Sequence, residues 1–378
     1  MPVIYCTGLQ WVSQVYNERL YTVTVMPVTA YKGRGAVSRL PGRFERRHTE
    51  ADPEALQELI APETEYRPMQ ARRIISSNTS PDVPFDRSIN PYQGCEHGCI
   101  YCYARPSHSY LDLSPGLDFE SKIFYKPNAV ERLVAEWQKP GYVVEPITIG
   151  ANTDPYQPAE KRFGITRALL EAFLEYRHPV SLISKGSLMR RDIDLLSALA
   201  ERKLCSVAIS VPTMDSELKR LLEPRVPAAE SRFRLIDDLR QSGVPVSLLM
   251  APIIPAVNDR EIESIVANAA ARGVSHASYI FLRLPHEVSV LFQEWLATHM
   301  PDRAAHVMSL VRQASGGRDY DARFGHRQSG RGAYADMISQ RFAAAGRRFG
   351  VATGRHRQAL DCKQFRKPGA HQQSLDFS

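Results

Sequence analysis

The stretch Gln93-Gly94-Cys95-Glu96-His97-Gly98-Cys99-Ile100-Tyr101-Cys102-Tyr103-Ala104-Arg105 decides how the rest of the chain is read. It sets three cysteines at C-x3-C-x2-C spacing within one glycine-flanked loop. Thiolates are soft ligands that select iron–sulfur clusters, zinc or cuprous copper over hard cations. Three of them can hold three irons of a cubane and leave the fourth iron without a protein ligand. A zinc site is the alternative, with His97, His108 or a distant residue as fourth ligand. Structural zinc normally recruits two ligand pairs a dozen or more residues apart, and no second C-x2-C or H-x3-H pair follows this one. The other cysteines, Cys6, Cys205 and Cys362, stand alone, and Cys205 lies in an apolar run where a lone thiol is a small buried hydrophobe.

Outward from the loop, short β-branched runs alternate with longer amphipathic ones. Strands are expected at Ser88–Tyr92, Pro146–Gly150, Val180–Ser184, Ser206–Val211, Pro245–Ala251 and Ala277–Leu284. Helices are expected at Ala129–Gln138, Thr166–Tyr176, Arg191–Arg202, Arg232–Ser242, Glu261–Arg272 and Val288–Thr298. Such alternation builds βα units on a parallel sheet, and right-handed crossovers curl that sheet into a barrel or partial barrel. Chemistry in these folds gathers at the C-terminal ends of the strands, which is where the cysteine loop sits. Residues 1–86 read as a mostly irregular extension with one short helix at Pro53–Leu59, and Met26-Pro-Val repeats the opening Met1-Pro-Val, as though the protein started near Met26. The core is expected over 87–300 and a basic helical or irregular extension over 301–378.

The other strand ends carry the next candidates. Asn152-Thr153-Asp154-Pro155 follows the second strand, and Asp154 would accept from an ammonium group or close an Asx-Pro turn. Lys185 ends the third strand and suits a carboxylate; Ser210 ends the fourth. Arg225 would form a bidentate pair with a carboxylate ligand or a plain pair with Glu223. Asn258 is placed to face a nucleoside, and Asp259 to cap the helix behind it.

The string Cys99-Ile100-Tyr101-Cys102-Tyr103, followed by Thr153-Asp154, Ser184-Lys185 and Ser210, resembles the spore photoproduct lyase-like, or DNA repair photolyase-like, branch of the radical S-adenosylmethionine (SAM) superfamily over roughly residues 87–298. The resemblance implies an α/β fold, the partial (β/α)6 TIM-type barrel of the radical SAM core. It implies a [4Fe-4S] cluster on Cys95, Cys99 and Cys102, with S-adenosylmethionine on the open iron and in contact with Thr153, Asp154, Lys185 and Ser210. Arg225 and Asn258 join that list by their place at strand ends. One electron, from a flavodoxin- or ferredoxin-type donor, would split SAM to a 5′-deoxyadenosyl radical that abstracts hydrogen. Tyr101 and Tyr103 match tyrosines of the lyase loop, one of which helps return hydrogen to product; aromatic packing around the cluster is the plainer role. One departure stands out. The lyase carries a hydrogen-donating cysteine just before the segment matching Asn152, and this chain has Gly150 and Ala151 there, so the substrate stays open between a nucleic acid, a peptide and a small metabolite.

Charge leans toward nucleic acid. Lys and Arg number 48 against 41 Asp and Glu, for a net charge of +7. From Met300 onward fourteen Lys and Arg face six Asp and Glu, a basic region suited to phosphates or to a solvated tail. A non-catalytic, zinc-stabilised nucleic-acid-binding protein is the competing class. No apolar run approaches the roughly 18–20 residues that span a bilayer, and no leader pattern opens the chain, so a cytoplasmic protein without membrane contact is expected.

Overall fold

The computed structural model describes residues 13–16, 19–22, 30–45, 62–354 and 358–369. Cys6, the Met26-Pro-Val repeat, the helix expected at Pro53–Leu59, and Arg355 and Arg357 of the basic region lie outside the described residues. In chain order the structure has a hairpin, β1 (Ser13–Tyr16) with β2 (Arg19–Thr22), then β3 (Glu65–Pro68), β4 (Ser76–Ser77), β5 (Arg87–Ile89) and β6 (Tyr92–Gln93). The cysteine loop leads to α1 (Leu117–Ser121), β7 (Lys122–Tyr125) and α2 (Ala129–Gln138). Strands and helices then alternate through β8 (Ile147–Ile149), α3 (Pro158–Phe163), α4 (Ile165–Glu175), β9 (Val180–Ser184), α5 (Ile193–Glu201), β10 (Cys205–Ser210), α6 (Ser216–Leu222), α7 (Ala229–Gln241), β11 (Val246–Ile253), α8 (Ile262–Ala271) and β12 (His276–Phe281). Three helices, α9 (Glu287–His299), α10 (Pro301–Ala314) and α11 (Ala333–Phe349), precede β13 (Ala352–Thr353).

Eight strands form one sheet in the order β13-β12-β11-β10-β9-β8-β5-β4. All neighbours are parallel except β4, which pairs antiparallel with β5 at one edge. Sheet order following chain order, with helices in the crossovers, is the partial TIM-type barrel. Strand alternation sorts the residues: in β9, Val180 and Leu182 are buried under the helices while Ser181 and Ile183 are half-buried on the other face. In α2, Ala129, Leu133 and Trp137 recur every four residues and form its buried stripe.

The strand expected at Ser88–Tyr92 divides in two. Pro91 has no N–H to donate and breaks the ladder, so β5 stays in the main sheet and β6 turns away to pair with β7 in a small sheet of order β3-β7-β6. Past residue 301 the chain is helical through α10 and α11, and β13 adds a seventh parallel strand beside β12.

The seam between the two sheet edges is closed by side chains. The loop after α10 lies along the end of β12, with the Phe281 N–H donating to the Gln328 carbonyl at 2.7 Å. It then reaches the turn between β4 and β5, where Arg327 pairs with the buried Asp82 carboxylate and donates to Ser80, and the Gly325 N–H donates to Asp82 at 2.7 Å. Inside, Thr148, Ser181, Ser206, Ser247 and Ser275 line a cavity of about 330 Å³ at the N-terminal ends of the strands. The cysteine loop lies at the opposite, C-terminal end. Among the described residues no helix is long and apolar enough to cross a membrane.

Candidate functional site

The cysteine loop leaves β6 and is pinned at each turn. The Cys95 N–H donates to the Phe119 carbonyl at 2.9 Å, the Ile100 N–H to Leu222 at 3.1 Å, and the Cys102 N–H to Cys99 at 3.2 Å. Arg105, fully buried, takes the loop as its ligand: Nε donates to the Cys99 carbonyl at 3.0 Å, Nη1 to Pro115 and Gly116 at 3.1 and 3.0 Å, and Nη2 to Gly98 at 3.2 Å and to the Glu120 carboxylate. Glu120 in turn accepts the N–H groups of Gly35 and Ala36 at 2.9 and 2.8 Å, which clamps an N-terminal segment over the loop. The approach tolerates only glycine. A Cβ on Gly35 would fall 1.9 Å from the Gly98 carbonyl oxygen, and one on Gly98, whose φ is +66°, would meet Glu120 at 2.7 Å.

Cys95 and Cys99 are buried, Cys102 is half-buried, and all three thiols are free. Burial pushes each thiol above its ordinary value, and Cys95 is raised further by Asp154 and by the other two cysteines. Among the described residues no three His, Cys, Asp or Glu side chains are placed to close on a single metal ion. An all-sulfur set of three, held apart, fits a cluster in which each thiolate takes its own iron better than one tetrahedral ion.

Several of the residues expected to contact ligand are hydrogen-bonded within the fold. Asp154 accepts from the Tyr156 N–H at 2.9 Å, the Ser184 hydroxyl at 2.7 Å and the Lys185 N–H at 2.7 Å, with His97 Nδ1 at 3.4 Å. Burial would raise this carboxyl, but His97 and these donors hold it down at about 2. These bonds make it an Asx turn that joins two strand ends. The Thr153 hydroxyl donates to the Tyr92 carbonyl at 2.7 Å. Asn258, fully buried, donates to Pro212 and Pro252 at 2.9 Å and accepts from the Ile254 N–H at 2.6 Å. These bonds fix the bend after β11. Asp259 accepts from Tyr334 of α11 at 2.7 Å rather than capping its own helix. Arg225 pairs with Glu96 of the cysteine loop at 2.9 Å, not with Glu223.

Lys185, Ser210 and Tyr101 do come together. Lys185 Nζ donates to Ser210 Oγ at 2.8 Å and the Ala251 carbonyl at 3.4 Å, and stands 5.8 Å from the centre of the Tyr101 ring. Behind them the buried Glu223 accepts from Tyr101 and from Arg232, the latter at 2.5 Å, with Lys185 at 3.8 Å. Burial pushes Glu223 up, yet Arg232 and Lys185 bring it below the usual carboxylate range, while burial, Cys99 and Glu223 drive the Tyr101 phenol well up. Glu223 and Arg232 were missed as site residues. A signal existed: Arg232 stands four and seven residues before Ile236 and Leu239, on the buried face of α7.

The family model of the radical SAM superfamily matches residues 89–269. An uncharacterized protein of Mycobacterium tuberculosis is 34% identical over 233 residues, covering 61% of this chain and 68% of its own. The chain belongs to the radical SAM superfamily. An uncharacterized protein of Methanocaldococcus jannaschii is 27% identical over 193 residues, 51% of this chain and 69% of that one. Among solved structures, a cysteine mutant of spore photoproduct lyase aligns at TM-score 0.57 and 15% identity, covering 76% of this chain and 81% of that chain. A variant of the same lyase with bound AdoMet and dinucleoside spore photoproduct aligns at 0.55 and 13%, covering 78% and 81%. At such identities the likeness is one of fold, and this is an enzyme of the radical SAM class built on the lyase fold.

Among the described residues no cysteine stands just before Asn152. Ala151 lies at the expected position and its carbonyl accepts from the Tyr103 hydroxyl. Cys205 is fully buried among the helix-facing core residues, with Sγ at 3.2 Å from the Leu196 carbonyl. Cys362 belongs to a tail segment bonded to Lys203 and Tyr176, at the N-terminal end of the strands. Neither approaches the loop. Tyr103, whose hydroxyl makes that bond, is 42% exposed.

Proposed function

We propose that this radical SAM enzyme holds a [4Fe-4S] cluster on Cys95, Cys99 and Cys102, binds AdoMet beside it, and abstracts a hydrogen atom from a nucleic-acid substrate at the C-terminal mouth of the barrel. The observation that carries the reading is the set of three free thiols on a clamped loop at that mouth. When bound, the cluster and AdoMet supply a 5′-deoxyadenosyl radical, the electron coming from a flavodoxin- or ferredoxin-type donor. The chain's own groups bind and orient. Lys185 has two of its three donors engaged by Ser210 and Ala251, which leaves one for an anionic group such as the AdoMet carboxylate. Glu223, fixed by Arg232, keeps Tyr101 protonated and oriented against the loop. Tyr103, bonded to the Ala151 carbonyl, is assigned the return of hydrogen to product. Nucleic acid is favoured over a peptide by guanidinium–aromatic pairs at exposed rings, Arg283 with Tyr103 and Arg327 with Phe324.

Anaerobically isolated protein is expected to be brown with about four irons per chain, and to release 5′-deoxyadenosine when given reductant and AdoMet. Cys99→Ala abolishes that release. Stoichiometric zinc without iron, or a wild-type rate from the alanine variant, would overturn the assignment.

A further inference from the structure

We infer that Arg283 is a substrate-binding residue whose guanidinium, set between the rings of Tyr103 and Tyr320, receives a backbone phosphate of a single-stranded nucleic acid. The inference rests on the proposed nucleic-acid reading and gives it a place in the fold. Arg283 lies two residues beyond the last residue of β12, at the C-terminal end of the barrel where the cysteine loop sits. Its Cζ is 5.0 Å from the centre of the Tyr103 ring and 5.9 Å from that of Tyr320. Nη2 reaches the Tyr320 hydroxyl at 3.2 Å, and the buried Nε has no partner.

The contrast with other arginines of the C-terminal half is what gives this geometry meaning. Arg312, Arg323, Arg327, Arg331 and Arg341 each face a carboxylate. Arg283 faces none among the described residues. A guanidinium carries five N–H donors, and holding them at a half-buried site without an anion is costly unless a ligand completes the set. Its planar fork matches the oxygens of a phosphate. The rings that flank it supply the second half of the recognition, because bases stack on aromatic faces without regard to sequence, and Tyr103 is 42% exposed. Those five arginines of the C-terminal region already have a carboxylate partner, whereas Arg283 offers its donors at a strand end on the side of the barrel where the cysteine loop sits.

The test is binding of a short fluorescein-labelled oligothymidylate to the cluster-loaded full chain, read by anisotropy across a salt series without AdoMet or reductant. Arg283→Gln is expected to weaken binding about tenfold and to flatten the plot of log affinity against log salt by about 0.7, the value of one phosphate on a single strand. Arg283→Lys keeps the slope but binds more weakly, since it holds the charge and loses the fork; both variants are checked for an unchanged circular dichroism spectrum. Wild-type affinity and slope in Arg283→Gln would overturn the inference, as would binding of a glutamate-rich peptide, and not the oligonucleotide, that depends on Arg283. Because this readout needs no AdoMet cleavage, its failure is separable from failure of 5′-deoxyadenosine release.

Discussion

One guanidinium organises the cysteine loop. Arg105 directs its five N–H groups at four backbone carbonyls and one carboxylate, with no solvent contact, so the positions of Cys99 and Gly98 are fixed before any metal arrives. Replacing it by methionine leaves the buried Glu120 carboxylate without its counter-charge, held only by the Gly35 and Ala36 N–H groups, at a cost of about 3–5 kcal/mol. Arg105→Met is therefore expected to melt well below the wild type and to retain less iron after anaerobic reconstitution, with Arg105→Lys in between; equal melting and iron content would show that the loop holds itself. The spacing of the cysteines was legible from sequence because ligands within one loop are close in the chain. The Arg105 role was not, since its acceptors at 98, 99, 115, 116 and 120 meet only after folding. For the same reason the bonds of Asp154 and Asn258 to neighbouring loops were not legible, since the sequence does not encode the approach of those loops locally.

Elements with one strong period were the readable ones. Expected and observed bounds coincide for α2 and β9, where a four-residue stripe and a two-residue alternation are unbroken. The small β3-β7-β6 sheet was invisible, because strands of two to four residues carry too little pattern. The α4–β9 junction shows how such elements lock. His178 stacks on Trp137 at 4.9 Å, meets the Tyr142 hydroxyl at 2.8 Å and packs edge-on to Phe365 of the C-terminal segment. Burial lowers this imidazole from 6.5 to about 4, against the pull of the Pro179 carbonyl. The unfolded chain therefore binds a proton below about pH 6.5 that the native state refuses until about pH 4, so the contribution is complete above 6.5 and fades as pH falls across that window, by about 3 kcal/mol in all. In His178→Gln, chemical-denaturation midpoints should fall less steeply from pH 6.5 to 4 than in the wild type; parallel slopes would place the acid sensitivity elsewhere.

For the whole molecule the decisive feature is the seam. The β4 and β13 edges share no ladder, and what joins the two sides is the Arg327–Asp82 pair with its Ser80 and Gly325 bonds. Removing the guanidinium strands a carboxylate that solvent does not reach, again about 3–5 kcal/mol. Amide exchange in residues 78–86 and 321–330 is expected to accelerate at least about tenfold in Arg327→Ala, while β9 and β10 stay protected; unchanged exchange would mean that the backbone alone keeps the edges together. A fully closed barrel has its bore dictated by strand number and shear. This one is a hoop fastened by a buckle, so lengthening or shortening residues 318–331 is expected to change how far apart its two edges sit while every strand keeps its register.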